Sequence, residues 1–393
     1  MAFYTVLDRH ALGTRLSTAI LCALVACDRP AAPCVFTRAV VAPAGNDSSL
    51  SFVDANAICR PRTLSVTGTI ENVIASSSDD NVLVIDIQSD GTRELVSVAV
   101  PLFAIVARQS LAGFGQQNGG TTPVTGEAAA VDGDALYLWR TDASGTLGIG
   151  RFSIRSTALT AFSGPWNLVG GGLIVLSPST MFPRGALVGV GLRSAPGPRN
   201  GQSRVFFLDP LNLAVIDSIL PSDISGEEDV WQFVPTGDPQ TAFIVGATHI
   251  IRYDLSRREA VAATTRDAPG FLVVANDSTL LLTDGGIWPD SPGSGLLRLY
   301  DWQLRPAGEV DVSTPVAGSP NSPTATRTGI AIAAQDGRTV FVRGGSEVWG
   351  PLYAPQPARL FRVDVLAKRL VSWTSLGGYG LGPIAFAATN NSP

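Results

Sequence analysis

The sequence predicts an all-β fold, a propeller whose four-stranded blades number about seven and close into a ring. Three observations lead there. From residue 50 onward one pattern recurs: an apolar strand ending in Asp, a turn, then another apolar strand. Its spacing lies in the range of single propeller blades. Gly (41) and Pro (27) are plentiful and spread at intervals, which is the punctuation of many short strands joined by turns. The chain is also 45% hydrophobic and 16% charged, apolar enough for a large core and unlike a disordered polymer.

The pattern appears as Phe52-Val53-Asp54, Phe207-Leu208-Asp209, Arg252-Tyr253-Asp254, Leu299-Tyr300-Asp301 and Arg362-Val363-Asp364, with a degenerate copy at Arg151-Phe152-Ser153. The intervals between the last residues of successive copies are 99, 56, 45, 47 and 63 residues, the first fitting two units. Asp at the first position of a turn accepts a hydrogen bond from the backbone two residues on, so this Asp reads as turn chemistry rather than catalysis.

Taken in order, strands are expected at 36–42, 49–54 and 63–68. A blade follows at 71–76, 82–88, 94–100 and 104–108, with Asp86 on its second strand and therefore outside the repeat. Two blades centre on 136–140 with 147–154 and on 187–191 with 204–209. Three more occupy 230–264, 270–312 and 329–375. A last strand at 383–389 joins the first three, so that both chain ends build one blade and close the ring. Closure removes the edges that would template association, and a monomer is expected. The stretch 100–130 leaves six or eight blades open as alternatives.

With strands lettered A to D outward from the axis, the repeated Asp falls at the C–D hairpin. These hairpins resemble those of the seven-bladed YVTN and lactonase-like propellers, over most of residues 35–390. The resemblance implies a fold. It does not imply an activity, because such propellers include lyases, lactonases, dehydrogenases and pure binding modules.

The N-terminus reads as an address. Residues 1–15 carry Arg9 and Arg15 against Asp8, and an apolar run of 11 residues follows, Leu16 to Ala26. As a helix it would span roughly 16 Å, about half a bilayer core. That is the hydrophobic region of a signal peptide over residues 1–26. Leu24-Val25-Ala26-Cys27 resembles a bacterial lipobox. The resemblance implies that Cys27 is lipidated and heads a short tether, residues 27–34, before a single domain at 35–393. Such an anchor places the protein in the cell envelope, on the periplasmic or cell-surface side. The alternative is an ordinary secretory signal. Cys34 and Cys59 form an even pair in an oxidising compartment and read as a disulfide; two free buried thiols are the alternative.

The A–B and C–D turns open on one side of a propeller, the B–C and D–A loops on the other. The long segments fall almost entirely on the second side, at 109–126, 193–203, 221–229, 285–295, 313–327 and 344–357. Lengthened loops on one face of a rigid scaffold mark a binding face. Its candidate residues are Trp166, Glu227, Glu228, Asp229, Trp231, His249, Trp288, Asp290, Trp349 and Tyr353. Exposed aromatics beside carboxylates suit a protein or glycan surface, while interblade packing is the competing role for each Trp. The run 227–229 is either a solvated turn or a carboxylate cluster for Ca²⁺, and Asp284 with Asp290 forms a second oxygen-rich loop. Neither matches a 12-residue calcium loop. The glycine run 170–172 is not a phosphate loop, since no Lys-Ser/Thr follows it.

Composition narrows the chemistry. The net charge is −5, Lys368 is the one lysine and the arginines are dispersed, so no nucleic-acid stripe is present. The two histidines are His10, in the leader, and His249. One histidine excludes a multi-histidine zinc or iron site and leaves His249 as the sole imidazole base. The reading favoured is a membrane-tethered binding module for a protein or glycan partner. The alternatives are a lactonase- or lyase-like enzyme with a divalent cation at the channel mouth and, behind it, a quinone-dependent dehydrogenase. Replacing Cys34 with Ser should lower the melting temperature under oxidising conditions, by the loss of about 3 kcal/mol of loop-closure stabilisation; an equal loss in fully reduced protein would argue against the bond.

Overall fold

A computed structural model describes residues 38–388, apart from 45–47, 57–60, 76–79, 112–128, 142–146, 167, 194–202, 221–223, 225–228, 267–269, 285–294, 314–327, 347–355 and 380–384. The first three strands are β1 (Arg38–Pro43), β2 (Ser49–Asp54) and β3 (Arg62–Ser65). Blade 2 is β4 (Thr69–Ala75), β5 (Asn81–Ile87), β6 (Arg93–Ala99) and β7 (Ala104–Ser110). Blade 3 is β8 (Ala129–Asp132), β9 (Ala135–Thr141), β10 (Leu147–Ser153) and β11 (Leu159–Trp166). Blade 4 is β12 (Leu168–Leu176), β13 (Ala186–Arg193), β14 (Arg204–Leu208) and β15 (Val215–Ile219). Blade 5 is β16 (Val230–Pro235), β17 (Thr241–Gly246), β18 (His249–Asp254) and β19 (Glu259–Thr265). Blade 6 is β20 (Leu272–Asn276), β21 (Thr279–Leu282), β22 (Leu296–Asp301) and β23 (Pro306–Asp311). Blade 7 is β24 (Thr328–Ala333), β25 (Thr339–Ser346), β26 (Gln356–Asp364) and β27 (Arg369–Tyr379). Finally β28 (Ala385–Ala388) pairs antiparallel with β1, Ala39 opposite Ala387, and completes blade 1 as its innermost strand. The result is a seven-bladed β-propeller closed by one strand from the C-terminal end and three from the N-terminal end.

Burial follows blade position. The second strands are sandwiched between neighbouring blades and are buried on both faces, as in β5 and β17. They therefore read as continuous apolar runs rather than alternating ones. The outermost strands are half solvated, as in β19. No single core exists. Seven apolar clusters occupy the seven blade-to-blade interfaces, for example Phe207 with Phe233 between blades 4 and 5, or Phe341 with Val40 between blades 7 and 1. Gly189 on β13 lets blade 3 approach closely: a Cβ there would meet Ile149 Cδ1 at 3.1 Å and Trp139 Cζ2 at 3.4 Å.

Side-chain amides stitch the inner strands across blades. Gln232 on β16 both donates to Leu272 O (3.0 Å) and accepts from Leu272 N (2.9 Å), acting as a rung between blades 5 and 6. Asn276 Nδ2 donates to Gly337 O (2.6 Å) between blades 6 and 7.

The repeated Asp performs the turn role expected of it. Asp54 Oδ1 accepts from Asn56 N (2.7 Å), Asp209 Oδ1 from Leu211 N (2.8 Å) and Asp301 Oδ1 from Gln303 N (2.8 Å). Asp254 and Asp364 accept from the amide three residues on, at 2.9 Å each. The degenerate Ser153 does the same through its hydroxyl, more weakly, from Ser156 N at 3.3 Å. Farther along these turns the backbone is left-handed at Thr157, Leu213, Arg258, Leu304 and Lys368. Non-glycine residues rarely adopt that conformation, and the capped turn holds them there.

Strand bounds differ from expectation by up to four residues, β27 for example running to Tyr379 rather than 375. β23 opens on Pro306, and β11 runs on through Pro165 to Trp166. Both are outermost strands, where a missing backbone N–H faces solvent and breaks no ladder bond. The glycine run 170–172 lies in β12 at a register shift between Gly170 and Leu173. No helix among the described residues is long and apolar enough to cross a membrane.

Three turn carboxylates are held below the usual Asp range. The Ser256 hydroxyl does this for Asp254, the Arg305 amide for Asp301 and the Arg338 guanidinium for Asp364. A carboxyl with a depressed folded pKa adds stability above its unfolded value, about 3.9, and loses it as pH falls through the folded value. The melting temperature is therefore expected to fall as pH drops below about 4. Asn at all three positions keeps an acceptor for the turn amides and should flatten this acid limb in a thermal-melt pH series. An unchanged limb would assign the acid loss elsewhere.

Candidate ligand-binding face

The strand order puts the connections 111–128, 194–203, 220–229, 283–295, 312–327 and 347–355 at one end of the blades. All are B–C or D–A connections. The opposite end carries mostly tight turns such as Asp277-Ser278, with 177–185 the longest fully described exception. The sidedness expected from the sequence is therefore the sidedness of the fold.

At this end blade 5 gathers the best-defined polar group. Asp229 leads into β16, and its Oδ1 accepts a hydrogen bond from the fully buried Ser203 hydroxyl of blade 4 at 2.6 Å. Its carbonyl accepts from Ala247 N at 3.2 Å. Two residues on, half-buried Trp231 carries the Arg266 guanidinium over its ring, 4.3 Å from the centroid. Arg266 is 9% exposed and donates through Nη1 to Gly246 O at 2.7 Å. The strand ends of β16, β17 and β19 are thus clamped by one arginine, with an aromatic ring as its platform. His249 opens β18 beside this group. Its Nδ1 is 2.8 Å from Thr248 Oγ1 and its backbone pairs with Thr265.

Blade 2 carries a second network at the same end. Arg93 Nε binds Glu71 at 2.7 Å. Arg108 Nη1 reaches Glu94 at 3.1 Å and Asp86 at 3.4 Å, and Gln88 Nε2 donates to both carboxylates. Asp86 is fully buried and also accepts from Gly68 N at 3.2 Å, so it ties the connection between blades 1 and 2 to a second strand. In blade 6, Asp284 Oδ1 lies 3.8 Å from Arg298 Nη1, and its amide donates to the Thr328 hydroxyl at 2.7 Å. A carboxylate already facing a guanidinium is a poor cation ligand. Among the described residues no three His, Cys, Asp or Glu side chains converge to hold a metal.

The described residues bring Asp229, Trp231 and His249 together on blade 5. Trp166 differs from expectation: it ends β11, opposite Leu147, instead of lying in the connection after it. Glu227, Glu228, Trp288, Asp290, Trp349 and Tyr353 lie outside the described residues, as do Cys27, Cys34 and Cys59. Of the residues in the Ca²⁺ expectation, Asp229 and Asp284 are described and Glu227, Glu228 and Asp290 are not. Ser203 and Arg266 were not singled out by the sequence. Each is a lone polar residue beside a strand, and only the fold reveals its partner.

No family model matches the chain, and no curated protein matches its sequence. Solved structures do resemble it. One is a functionally unknown protein from Desulfotomaculum acetoxidans, at TM-score 0.59 and 13% identity over 90% of this chain and 100% of that one. Another is dihydro-heme d1 dehydrogenase NirN, at TM-score 0.50 and 13% identity over 92% and 77% of the two chains. A third belongs to a mitotic checkpoint complex, at TM-score 0.50 and 12% identity over 76% and 78%. At such identities the likeness is one of fold.

Replacing Arg266 with Gln should cost about 1.5–3 kcal/mol of unfolding free energy, the range for a hydrogen bond to a charged group. Urea denaturation measures it. A cost near zero would mean that the clamp on blade 5 does not hold its strand ends.

Proposed function

We infer that the chain is an exported lipoprotein whose YVTN-like propeller binds a protein partner through the B–C and D–A face. The observation that carries this reading is the one-sided gathering of long connections on a rigid ring. Propellers commonly serve as protein-binding scaffolds, and loops on a rigid frame are where such surfaces are built. The clamped group of Asp229, Trp231 and Arg266 supports it further. An aromatic ring, a guanidinium and a carboxylate held by buried partners form the kind of pre-positioned anchor that dominates protein interfaces. The lipobox-like Cys27 supports the tether, since two or more acyl chains hold a protein stably at a bilayer.

Cell fractionation tests the tether: Cys27→Ala should move the protein from the membrane to the soluble fraction, and unchanged retention would remove the anchor. Cross-linked affinity capture tests the face. A partner captured by the wild type should be lost when 314–327 is replaced by a short Gly-Ser linker, and kept in Leu211→Ser on the opposite face. Loss in both variants, or in neither, would count against a loop-face partner.

A further inference from the structure

Among the described residues, the most exposed large apolar side chains lie away from the loop face. Leu102 (72%), Leu211 (60%) and Leu366 (59%) all sit in C–D turns, at the opposite end of the blades. The chain comes into the fold at that same end. Arg38 opens β1, and the next residue, Ala39, pairs with Asp54, the C–D residue of its own blade. Arg38 lies eleven positions after Cys27, a stretch that spans at most about 40 Å. A lipid at Cys27 would keep the start of β1, at the C–D end, within about 40 Å of the bilayer.

Blade 7 lies next to the point where the chain comes in. It packs against blade 1 through Phe341 and Leu360, and Arg362 Nη1 donates to Asn56 O of blade 1 at 3.1 Å. Its outer hairpin, β26–β27, carries Leu366 at the turn, then exposed Lys368 and Arg369, then Val371 (41% exposed) and Trp373 (46% exposed). The Trp373 ring is held by the Arg359 guanidinium beneath it, 4.7 Å from the centroid, and is therefore presented rather than loose. Leucine, valine, a half-exposed tryptophan and two adjacent cations form the composition that settles at a membrane interface. The ring and aliphatic groups enter the headgroup boundary and Arg369 meets phosphates, while Lys368 Nζ donates to Ala307 O of blade 6. Trp373 lies about 13 Å along β27 from Arg369 at 3.3 Å per residue, so the strand would lie along the surface.

We propose that the outer hairpin of blade 7 docks on the lipid bilayer with β27 along its surface, so that the rim of the ring at blade 7 faces the membrane. The proposal rests on the lipid anchor at Cys27. The test uses the full lipidated chain in vesicles of phosphatidylglycerol and dibrominated phosphatidylcholine, with bromine quenching of tryptophan fluorescence as the readout. The wild type should be quenched, Trp373→Phe should lose that share, and Leu366→Ser should reduce it with an unchanged melting temperature. Leu211→Ser, on distant blade 4, should match the wild type. Equal quenching in Trp373→Phe and wild type, with both bound to vesicles, would overturn the docking and leave the anchor standing. Vesicle binding by Cys27→Ala equal to wild type, with the Trp373 share intact, would support the docking and remove the anchor.

Discussion

Ring closure is the constraint on which the structure depends. The apolar residues form no central core. They are divided among seven interfaces, each shared by two blades. A lone four-stranded blade would expose both of its buried faces, so no blade is stable by itself. The ladder between β1 and β28 gives the first and last blades their partners. Without that pairing, blade 1 loses its innermost strand and two interfaces weaken at once.

A second economy lies in the C–D turns. In blades 1, 4, 5, 6 and 7 a carboxylate, and in blade 3 a hydroxyl, holds the backbone that reverses the chain. Because the local hydrogen bonds specify the reversal, the residue in the left-handed position varies freely: Thr157, Leu213, Arg258, Leu304 and Lys368 all occupy it. Among the described residues the opposite end shows no such repeated device, and its connections differ in length and content. Regularity at one end and variety at the other follow from the same division of labour.

The fold was largely legible in the sequence because its signals are local. A doubly buried strand reads as an apolar run whatever its partners, and the Asp caps mark the hairpins one by one. Pro165 and Pro306 stand inside strands because each lies on a free outer edge, which only the sheet order reveals. The site was less legible. Asp229 and Trp231 stood out by composition, but their partners are Ser203 on the preceding blade and Arg266 across blade 5. Such pairs form because blades wedge together, and no spacing along the chain encodes them. Asp284 looked like an oxygen donor for a cation, and the guanidinium that faces it comes from Arg298, beyond a long loop.

Gly189 gives the ring a sensitivity that is angular rather than local. Seven sectors share one full turn, about 51° each. At most positions a bulkier side chain is absorbed by a neighbouring rotamer. At Gly189 a Cβ would stand 3.1 Å from Ile149 Cδ1 and 3.4 Å from Trp139 Cζ2 of the adjoining blade, so whatever volume those side chains do not absorb by shifting must widen the wedge between blades 3 and 4. In a closed ring that excess must be subtracted from the other six sectors, or the β1–β28 seam must open to release it. A single missing methyl group on one strand thus sets the tolerance of a joint on another part of the circle.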